Sequence, residues 1–385
     1  MSSLGAMWVD AAANLVPRLQ ASAPTTDTDG ACPTEAMDWL HEAGLCSAPL
    51  PQPDSGPGLN DGAERLALLC VLKHIGRGNL VVGRLYEGHV NALQLVSDFG
   101  NAAQKADVAR AAAAGQWFGV WNSQGTDGVR LGAGASSNAW TLDGTKLYAS
   151  GAGFIHRPLV TAQRTDGGWQ MVLTRAGGAD AAADANADAA NATATDSTVH
   201  VDSSFWQPLG MRGSASFRVT FNRFPVDAAD LLGNAGDYYR EPAFSAGAVR
   251  FAAVQMGGAE AVLDETRRFL RRIHHADDPY QRIRLGEMAM CVEGGNLWFE
   301  GAARHVGDAL YAHLMRSAIE QTGLRVMQLA ERCVGARGLL RPSPLERMHR
   351  DLTHYLRQPA PDAVLAAAGA HVLASEADSH LLWGR

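Results

Sequence analysis

The sequence predicts an α+β multidomain protein with an N-terminal α-helical domain, a middle β-barrel or sandwich domain and a C-terminal bundle of the four-helix type. Two changes of pattern along the 385 residues predict this order. Helical apolar spacing over 1–114 gives way to short Trp-, Val- and Thr-rich segments over 115–222, and helical spacing returns over 223–385. The sequence lacks the βαβ alternation of a parallel α/β protein and carries no G-x-G-x-x-G or P-loop string.

Apolar residues at helical spacing define the predicted helices of the N-terminal domain. They cover residues 10–19, 34–43, 62–76, 81–98 and 102–114. Residues 48–62 hold four prolines and three glycines. Because proline lacks an amide donor and glycine weakens helices, this segment is predicted to be an irregular loop.

The middle domain is predicted from short β-branched and aromatic runs separated by turn residues. The candidate strands are 118–122, 139–142, 146–150, 159–163, 169–174 and 216–221. Residues 176–196 consist of small and polar residues, which predicts a mobile surface loop. A calcium site is the alternative for its aspartates, but their spacing does not match a loop with the required glycine and terminal glutamate.

The C-terminal domain is predicted from two long helical segments, 243–272 and 307–333. Leu310, Leu314, Leu324 and Met327 recur at roughly helical spacing in the second. Several long helices in sequence predict a bundle.

Charge and cysteine content narrow the function classes. The net charge of -7 disfavours nucleic acid and anionic membranes as partners. The five cysteines form no C-x-x-C pair, so neither a disulfide framework nor a metal site is expected. No apolar run is long enough to span a membrane, and no basic leader precedes a hydrophobic run. A cytoplasmic location is therefore expected.

Five local strings, in this order and spacing, resemble the acyl-CoA dehydrogenase superfamily over almost the whole chain. They lie at 75–79, 142–151, 209–216, 251–259 and 344–352. L-G-M-R-G-S-A-S is the most specific match in the middle domain, and P-L-E-R-M-H-R-D-L is similar to a signature near the family's C-terminus. L-D-G-T-K-L-Y-A-S-G resembles a hairpin whose D-G-T-K turn leads into a strand ending over the flavin. The resemblance implies the acyl-CoA dehydrogenase fold.

The resemblance implies an FAD cofactor whose ring lies between the β-domain and the C-terminal bundle. Carried over by position, Trp121, Asn122 and Ser123 lie at the first strand end that contacts the ring. Tyr148 and Ser150 lie at the second, with Tyr148 where relatives commonly have tryptophan. FMN is the alternative cofactor if the chain is a monooxygenase.

In the family, a neighbouring subunit usually holds the pyrophosphate and adenine of the cofactor. Arg271 or Arg272, together with Gln281, match the first part of that site. A guanidinium suits a pyrophosphate geometrically. Gly335 and Gly338 remain from the family's glycine-rich turn. A homodimer or homotetramer is therefore expected.

The catalytic residues are unknown because the glutamate that serves as the family's usual base is missing. Counting from the Arg-Asp pair puts Pro359 at its position, and no glutamate occurs from 347 to 375. An alternative base used by some relatives would fall near Gly247, and Glu241 is the nearest acid there. Weak candidates for a replacement base are Glu241, Asp362, His354 and Tyr355.

Three functions follow from the resemblance. The first is an FAD-dependent oxidoreductase that acts on an acyl thioester of CoA or a carrier protein and passes electrons to an acceptor flavoprotein. The second is a flavin-dependent monooxygenase, supplied with reduced flavin by a flavin reductase, which needs no base for an α-proton. The third is a non-catalytic paralogue.

Overall fold

A computed structural model describes residues 1–52, 56–134, 139–175, 177, 198–357 and 359–378. The five helices predicted for the N-terminal domain are confirmed with small shifts of their ends. They are α1 (Ser3–Ser22), α2 (Thr34–Glu42), α3 (Arg65–Gly78), α4 (Leu80–Phe99) and α5 (Ala102–Ala113). The described part of 48–62 has no α-helix, as predicted.

Helix α4 is buried on almost every side and forms the centre of the N-terminal domain. It begins where the Asn79 side chain accepts a hydrogen bond from the Val81 amide at 2.9 Å. Gly76 and Gly83 let the bundle pack closely, because a Cβ at either position would lie within 3 Å of Val254. The lack of a side chain at Gly76 of α3 and Gly83 of α4 therefore lets the C-terminal bundle come close to both helices.

The described strands form one eight-stranded sheet ordered β6-β7-β3-β2-β4-β5-β8, with β1 pairing parallel to β4. They are β1 (Phe118–Trp121), β2 (Arg130–Ala133), β3 (Ala139–Ala149), β4 (Arg157–Arg164), β5 (Trp169–Leu173), β6 (Thr198–Asp202), β7 (Phe217–Asp227) and β8 (Leu231–Leu232). Strands β2, β6 and β8 were not predicted. The sheet extends beyond residue 222 to Leu232.

The predicted hairpin within 142–151 is wrong, because these residues belong to the continuous strand β3 and its end. β3 pairs with β2 on one side and β7 on the other, so no turn can form there. The Asp-Gly pair instead makes a bulge: the register shifts between Leu142 and Gly144, and Gly144 has a φ of 117°. The predicted loop 176–196 lies outside the described residues except for Gly177.

The C-terminal helices are α6 (Ala243–Arg272), α7 (Pro279–Arg304), α8 (Ala309–Gly338), α9 (Pro344–Tyr355) and α10 (Pro361–Ala374). The two long predicted helices are confirmed as α6 and α8. The Thr322 hydroxyl donates to the Cys291 carbonyl at 3.4 Å, and Arg325 pairs with Glu287 at 2.6 Å. Because later residues of α8 meet earlier residues of α7, these helices run antiparallel.

Asp351 on α9 joins the bundle to the β-domain. Its buried carboxylate accepts a hydrogen bond from the Met211 amide at 2.7 Å and pairs with Arg347 at 3.1 Å. A Cβ on Gly210 would lie 2.2 Å from the carbonyl oxygen of Arg350, so the backbones touch here. The strings at 209–216 and 344–352 are therefore one contact between two domains.

His89 joins α4 to the sheet. Its Nε2 donates to the Cys46 carbonyl at 2.7 Å, and its Nδ1 accepts from the Phe118 amide at 3.1 Å. The ring is fully buried, and burial lowers the pKa of His89 to about 4. The imidazole is therefore neutral and serves as a structural link.

Replacing His89 with phenylalanine keeps a ring in place but leaves two buried backbone groups without partners. We expect His89→Phe to lower the free energy of unfolding by about 1–3 kcal/mol in urea titrations. His371→Phe on the exposed face of α10 is the control.

Wild-type stability should also fall as the pH drops from about 6.5 towards 4, since the unfolded histidine then binds the extra proton. Equal stability and an equal pH profile in His89→Phe would contradict this role.

Candidate functional site

The ends of β1 and β3, both predicted to contact a flavin, lie side by side. The Trp121 indole donates to the Ser150 carbonyl at 3.1 Å, and the Leu147 amide donates to the Ser123 carbonyl at 3.0 Å. The Trp121 side chain is buried, so its ring is part of the support beneath the site. The backbone at Asn122 and Ser123 is what this strand end can offer a ligand.

Lys146 holds the segment after β1 from beneath. Its fully buried ammonium donates to the Asn122 carbonyl at 2.9 Å and to the side chains of Gln124 and Thr161 at 3.0 Å each. Thr161 in turn donates to the Asn122 side chain at 2.7 Å. Burial lowers the pKa of Lys146 to about 7.

Tyr148 presents an aromatic ring at the end of β3. The residue has a φ of 56°, and its side chain is 55% exposed. The ring packs edge-on against Phe205 and Trp206, and Trp206 packs edge-on against His354 at 5.4 Å between centroids. These contacts connect both strand ends to the last turn of α9.

A cavity of about 10 Å³, which is room for about one water molecule, lies between α4 and the strand ends. Its lining includes Arg84 and Gly88 of α4, Gly119 of β1 and Ser150. The Ser150 hydroxyl is hydrogen-bonded to the Ser216 hydroxyl at 2.8 Å, so the sheet holds it in place. The accessible Tyr148 ring and the adjoining backbone are the groups that these strand ends offer to a planar ring.

The residues predicted for the pyrophosphate and adenine lie far from these strand ends. Arg271 and Arg272 end α6, whereas Glu241, at the start of α6, lies at the opposite end. Thirty helical residues span about 45 Å. The antiparallel pairing of α7 and α8 places Gln281 and Gly335 near each other at this far end. One chain therefore does not bring them to its own strand ends.

The far-end residues have features of a ligand site. The Gln281 side-chain oxygen is buried and has no hydrogen-bond partner among the described residues. Arg271 and Arg272 are exposed, and Arg272 approaches Glu265 only at 3.9 Å. Gly335 has a φ of 57° and interrupts α8, with Gly338 at the end of that helix. The two arginines are the groups here that could pair with a phosphate, whereas the Gln281 oxygen could only accept a hydrogen bond.

Comparison with known proteins identifies the family. The acyl-CoA dehydrogenase N-terminal domain matches residues 6–116, and the acyl-CoA dehydrogenase C-terminal domain matches residues 234–355. The chain belongs to the acyl-CoA dehydrogenase superfamily. This confirms the resemblance and the fold, and the family and structural neighbours are flavin-dependent enzymes.

Two curated relatives of this acyl-CoA dehydrogenase superfamily member carry different names. The chain is 26% identical over 280 residues to L-evernosamine nitrososynthase of a Micromonospora species, covering 69% of this chain and 61% of that enzyme. The chain thus spans less than two thirds of that relative's length. It is 23% identical over 349 residues to the probable acyl-CoA dehydrogenase YngJ of Bacillus subtilis, covering 84% of this chain and 86% of YngJ.

Solved structures of the same fold include both a dehydrogenase and a monooxygenase. Butyryl-CoA dehydrogenase of Megasphaera elsdenii matches with a TM-score of 0.82 at 18% identity, over 97% of this chain and 99% of that one. Dibenzothiophene monooxygenase TdsC of Paenibacillus sp. A11-2 matches with a TM-score of 0.76 at 19% identity, over 95% and 97%. TdsC was also solved with FMN bound. At these identities the likeness shows the fold alone.

The positions that the resemblance assigns to a carboxylate base in this acyl-CoA dehydrogenase superfamily member are Pro359 and the neighbourhood of Gly247. Pro359 lies between α9 and α10, and its carbonyl accepts a hydrogen bond from Arg316 at 2.9 Å. A Cβ on Gly247 would lie 3.9 Å from the side-chain amide nitrogen of Asn91, so this position faces α4. Glu241 accepts hydrogen bonds from the Ser245 amide and hydroxyl, which makes it a cap of α6.

The other candidate bases differ in their surroundings. Asp362 is exposed in the first turn of α10. Burial lowers the pKa of His354, whose ring packs against Trp206. The Tyr355 hydroxyl is buried, and burial raises the pKa of this group. Of the four candidates, His354 and Tyr355 reach the interior beside the strand ends.

The sequence prediction missed a buried polar chain beside the cavity. Arg84 and Asn91 donate to the carboxylate of Glu87, and Arg250 of α6 donates to Asn91. Glu87 is 1% exposed and Arg250 7%, and burial lowers the pKa of Arg250 to about 10. The available signal was an Arg–Glu pair three residues apart within the apolar stripe of a buried helix.

Lys146→Met removes the ammonium beneath Asn122 while keeping a long side chain. Because three oxygens then lose their donor and the segment after β1 loosens, we expect the Kd for flavin to rise about tenfold. Fluorescence quenching of added FMN or FAD would measure it. Lys73→Met is the matched control, since Lys73 pairs with Glu260 on a different face. Unchanged flavin affinity in folded Lys146→Met would contradict this support.

Proposed function

We propose that this chain is a flavin-dependent monooxygenase with the acyl-CoA dehydrogenase fold, using oxygen and flavin reduced by a separate reductase. The observation that carries the proposal is the lack of a carboxylate at both base positions, Pro359 and Gly247. Removal of an α-proton from an acyl thioester requires such a base. Oxygen activation by reduced flavin does not require one there.

The residues of the site would act by holding and orienting the ring. The backbone at Asn122 and Ser123 would hydrogen-bond it, held from beneath by Trp121 and Lys146. The Tyr148 ring would stack beside it. When bound, the reduced flavin would supply the chemistry of the site, because the reduced flavin is the group that would react with oxygen. The far-end arginines would favour FAD over FMN, because only FAD has a pyrophosphate and an adenine.

Dehydrogenation of an acyl-CoA or acyl-carrier-protein substrate, with an acceptor flavoprotein, is the second candidate. It is favoured by the match to YngJ, which covers 86% of that relative. An aliphatic acyl chain that reached the cavity would, however, meet the Arg84 side chain there. Apolar contact with a charged group carries a desolvation cost. The position of Arg84 therefore favours the monooxygenase.

Flavin binding and reduction separate these functions. Purified protein is titrated anaerobically with oxidised and with dithionite-reduced FMN and FAD, and the flavin-loaded protein is then mixed with butyryl-CoA and octanoyl-CoA. We expect the reduced flavin to bind about tenfold more tightly than the oxidised form, because the protein has to bind the flavin in the reduced form that a separate reductase releases. We expect neither thioester to bleach the bound flavin. Bleaching would establish the dehydrogenase instead. Failure to bind any flavin would overturn both functions.

A homo-oligomer fits the surface of α7. Ile283, Met290 and Leu297 recur every seven residues and are each more than half exposed in the single chain. A second copy covering this stripe would bury it and would bring another chain into reach of the far-end residues. Within the described residues no helix has the length and apolarity needed to cross a bilayer.

Met290→Glu places a charge in the middle of this stripe. We expect it to shift the protein to a smaller species in sedimentation velocity and to weaken FAD binding at least tenfold, because buried charges oppose association. FMN binding should weaken less, since FMN lacks the adenine half. Met7→Glu, at an exposed position of α1, is the control. An unchanged oligomer, or a monomeric wild type, would contradict the proposed interface.

A further inference from the structure

The ammonium of Lys146 is a buried cation with no carboxylate partner among the described residues. Its side chain is fully buried, and its hydrogen bonds go to the Asn122 carbonyl at 2.9 Å and to the side chains of Gln124 and Thr161 at 3.0 Å each. All three acceptors are neutral oxygens. Removing a charge from water without supplying an opposite charge is unfavourable, so a cation in this place calls for a function.

The protonation of this amine reflects its surroundings. The groups that face it are Asn122 and Gln124 from the segment after β1 and Thr161 from β4, and none of them titrates. Burial alone lowers the pKa of Lys146 to about 7. An anion bound close by would raise this pKa again, because an opposite charge favours the protonated amine. The amine is therefore suited to a site that takes a negatively charged ligand.

The hydrogen bond from Lys146 reaches the protein surface through one peptide group. The Asn122 carbonyl and the Ser123 amide belong to the same planar peptide unit. A donor on the carbonyl oxygen polarises this unit and makes its N–H a stronger donor, since linked hydrogen bonds strengthen one another. Ser123 is exposed, and its amide donates to no atom in the parts of the chain that the structure describes. This amide is therefore available to a ligand.

Neighbouring contacts hold this peptide group in one position. The Ser123 carbonyl accepts from the Leu147 amide at 3.0 Å. The Asn122 side chain accepts from the Thr161 hydroxyl at 2.7 Å and from the Tyr239 hydroxyl at 3.4 Å. A dipole that is fixed in advance stabilises charge on a ligand without first having to reorient.

We propose that Lys146 is a positioning residue that makes the site prefer reduced over oxidised flavin, by polarising the peptide group whose Ser123 amide contacts the ring. The inference rests on the proposed function, which places the ring at these strand ends. The reduced ring is richer in electrons than the oxidised ring and readily carries a negative charge. A cation and a polarised N–H therefore stabilise the reduced ring selectively. Lys146 acts through the peptide rather than by contact, because its side chain is fully buried.

The test compares the two redox forms of FMN, which has no adenine half and so probes only the ring end of the site. Wild-type protein and Lys146→Met are titrated anaerobically with oxidised and with dithionite-reduced FMN at about pH 6, below the pKa of Lys146. We expect the substitution to weaken oxidised FMN about tenfold and reduced FMN about a hundredfold. The midpoint potential of the bound flavin should then fall by about 30 mV, the equivalent of tenfold for a two-electron couple.

A purely structural role of Lys146 gives a different result, because a loosened segment after β1 weakens both redox forms alike. Equal weakening of both forms, with an unchanged midpoint potential, would overturn the proposal. Lys146→Gln is the second neutral variant and keeps a donor for the Asn122 carbonyl. It should lose the preference for reduced FMN as well, since the charge is gone. A folded Lys146→Gln that keeps the full preference would also overturn the proposal.

Thr161→Val is the matched control for the support of this segment. It removes the hydroxyl that donates to the Asn122 side chain and leaves the ammonium its contacts with Asn122 and Gln124. We expect both redox forms to weaken by the same factor and the midpoint potential to stay unchanged. A fall in potential as large as that of Lys146→Met would show that the preference does not come from the charge. Circular dichroism would show that each variant is folded.

Failure of this inference is distinct from failure of the proposed function. Wild-type protein that binds reduced flavin and resists bleaching by octanoyl-CoA, while Lys146→Met weakens both redox forms equally, would remain a monooxygenase without this role for Lys146. Wild-type protein that is bleached by octanoyl-CoA, while Lys146→Met weakens the reduced form selectively, would retain the role of Lys146 within a dehydrogenase.

Discussion

The contact made by the buried Asp351 carboxylate fixes the geometry of the whole site. It holds the Met211 amide of the β-domain against α9, and Arg347 balances its charge. Trp206, which precedes this contact in the chain, lies between Tyr148 and His354 for that reason. Without this contact, the strand ends and the last turn of α9 would not be held against each other. The proposed flavin site therefore depends on this junction between domains.

That junction also determines which chemistry the site can support. It holds Tyr355 of α9 in the interior, while Pro359 and Gly247 stand at or near the positions at which the resemblance places a base. A dehydrogenase needs a carboxylate and an apolar path for an acyl chain. Here the Glu87 carboxylate is buried and accepts from Arg84 and Asn91, and Arg84 is among the residues that line the small cavity. The interior beside α4 therefore contains charged as well as apolar side chains.

The fold was predictable because its evidence is local and ordered along the chain. Apolar periodicity defined 243–272 as a helix to the residue, and the strings at 209–216 and 344–352 contact each other as members of one family should. The bulge at Gly144 was missed because an Asp-Gly pair suits a hairpin turn as well, and only strands on both sides exclude the turn.

The polar cluster was missed because Arg84 and Glu87 look like solvent-facing charges until α6 and α9 cover them. A crystal structure of the protein soaked with FAD tests the account most directly. The account predicts the isoalloxazine ring beside Tyr148, hydrogen-bonded by the backbone at 122–123, with its open face towards the cavity at Arg84. A ring bound elsewhere, or that cavity filled by side chains, would contradict it.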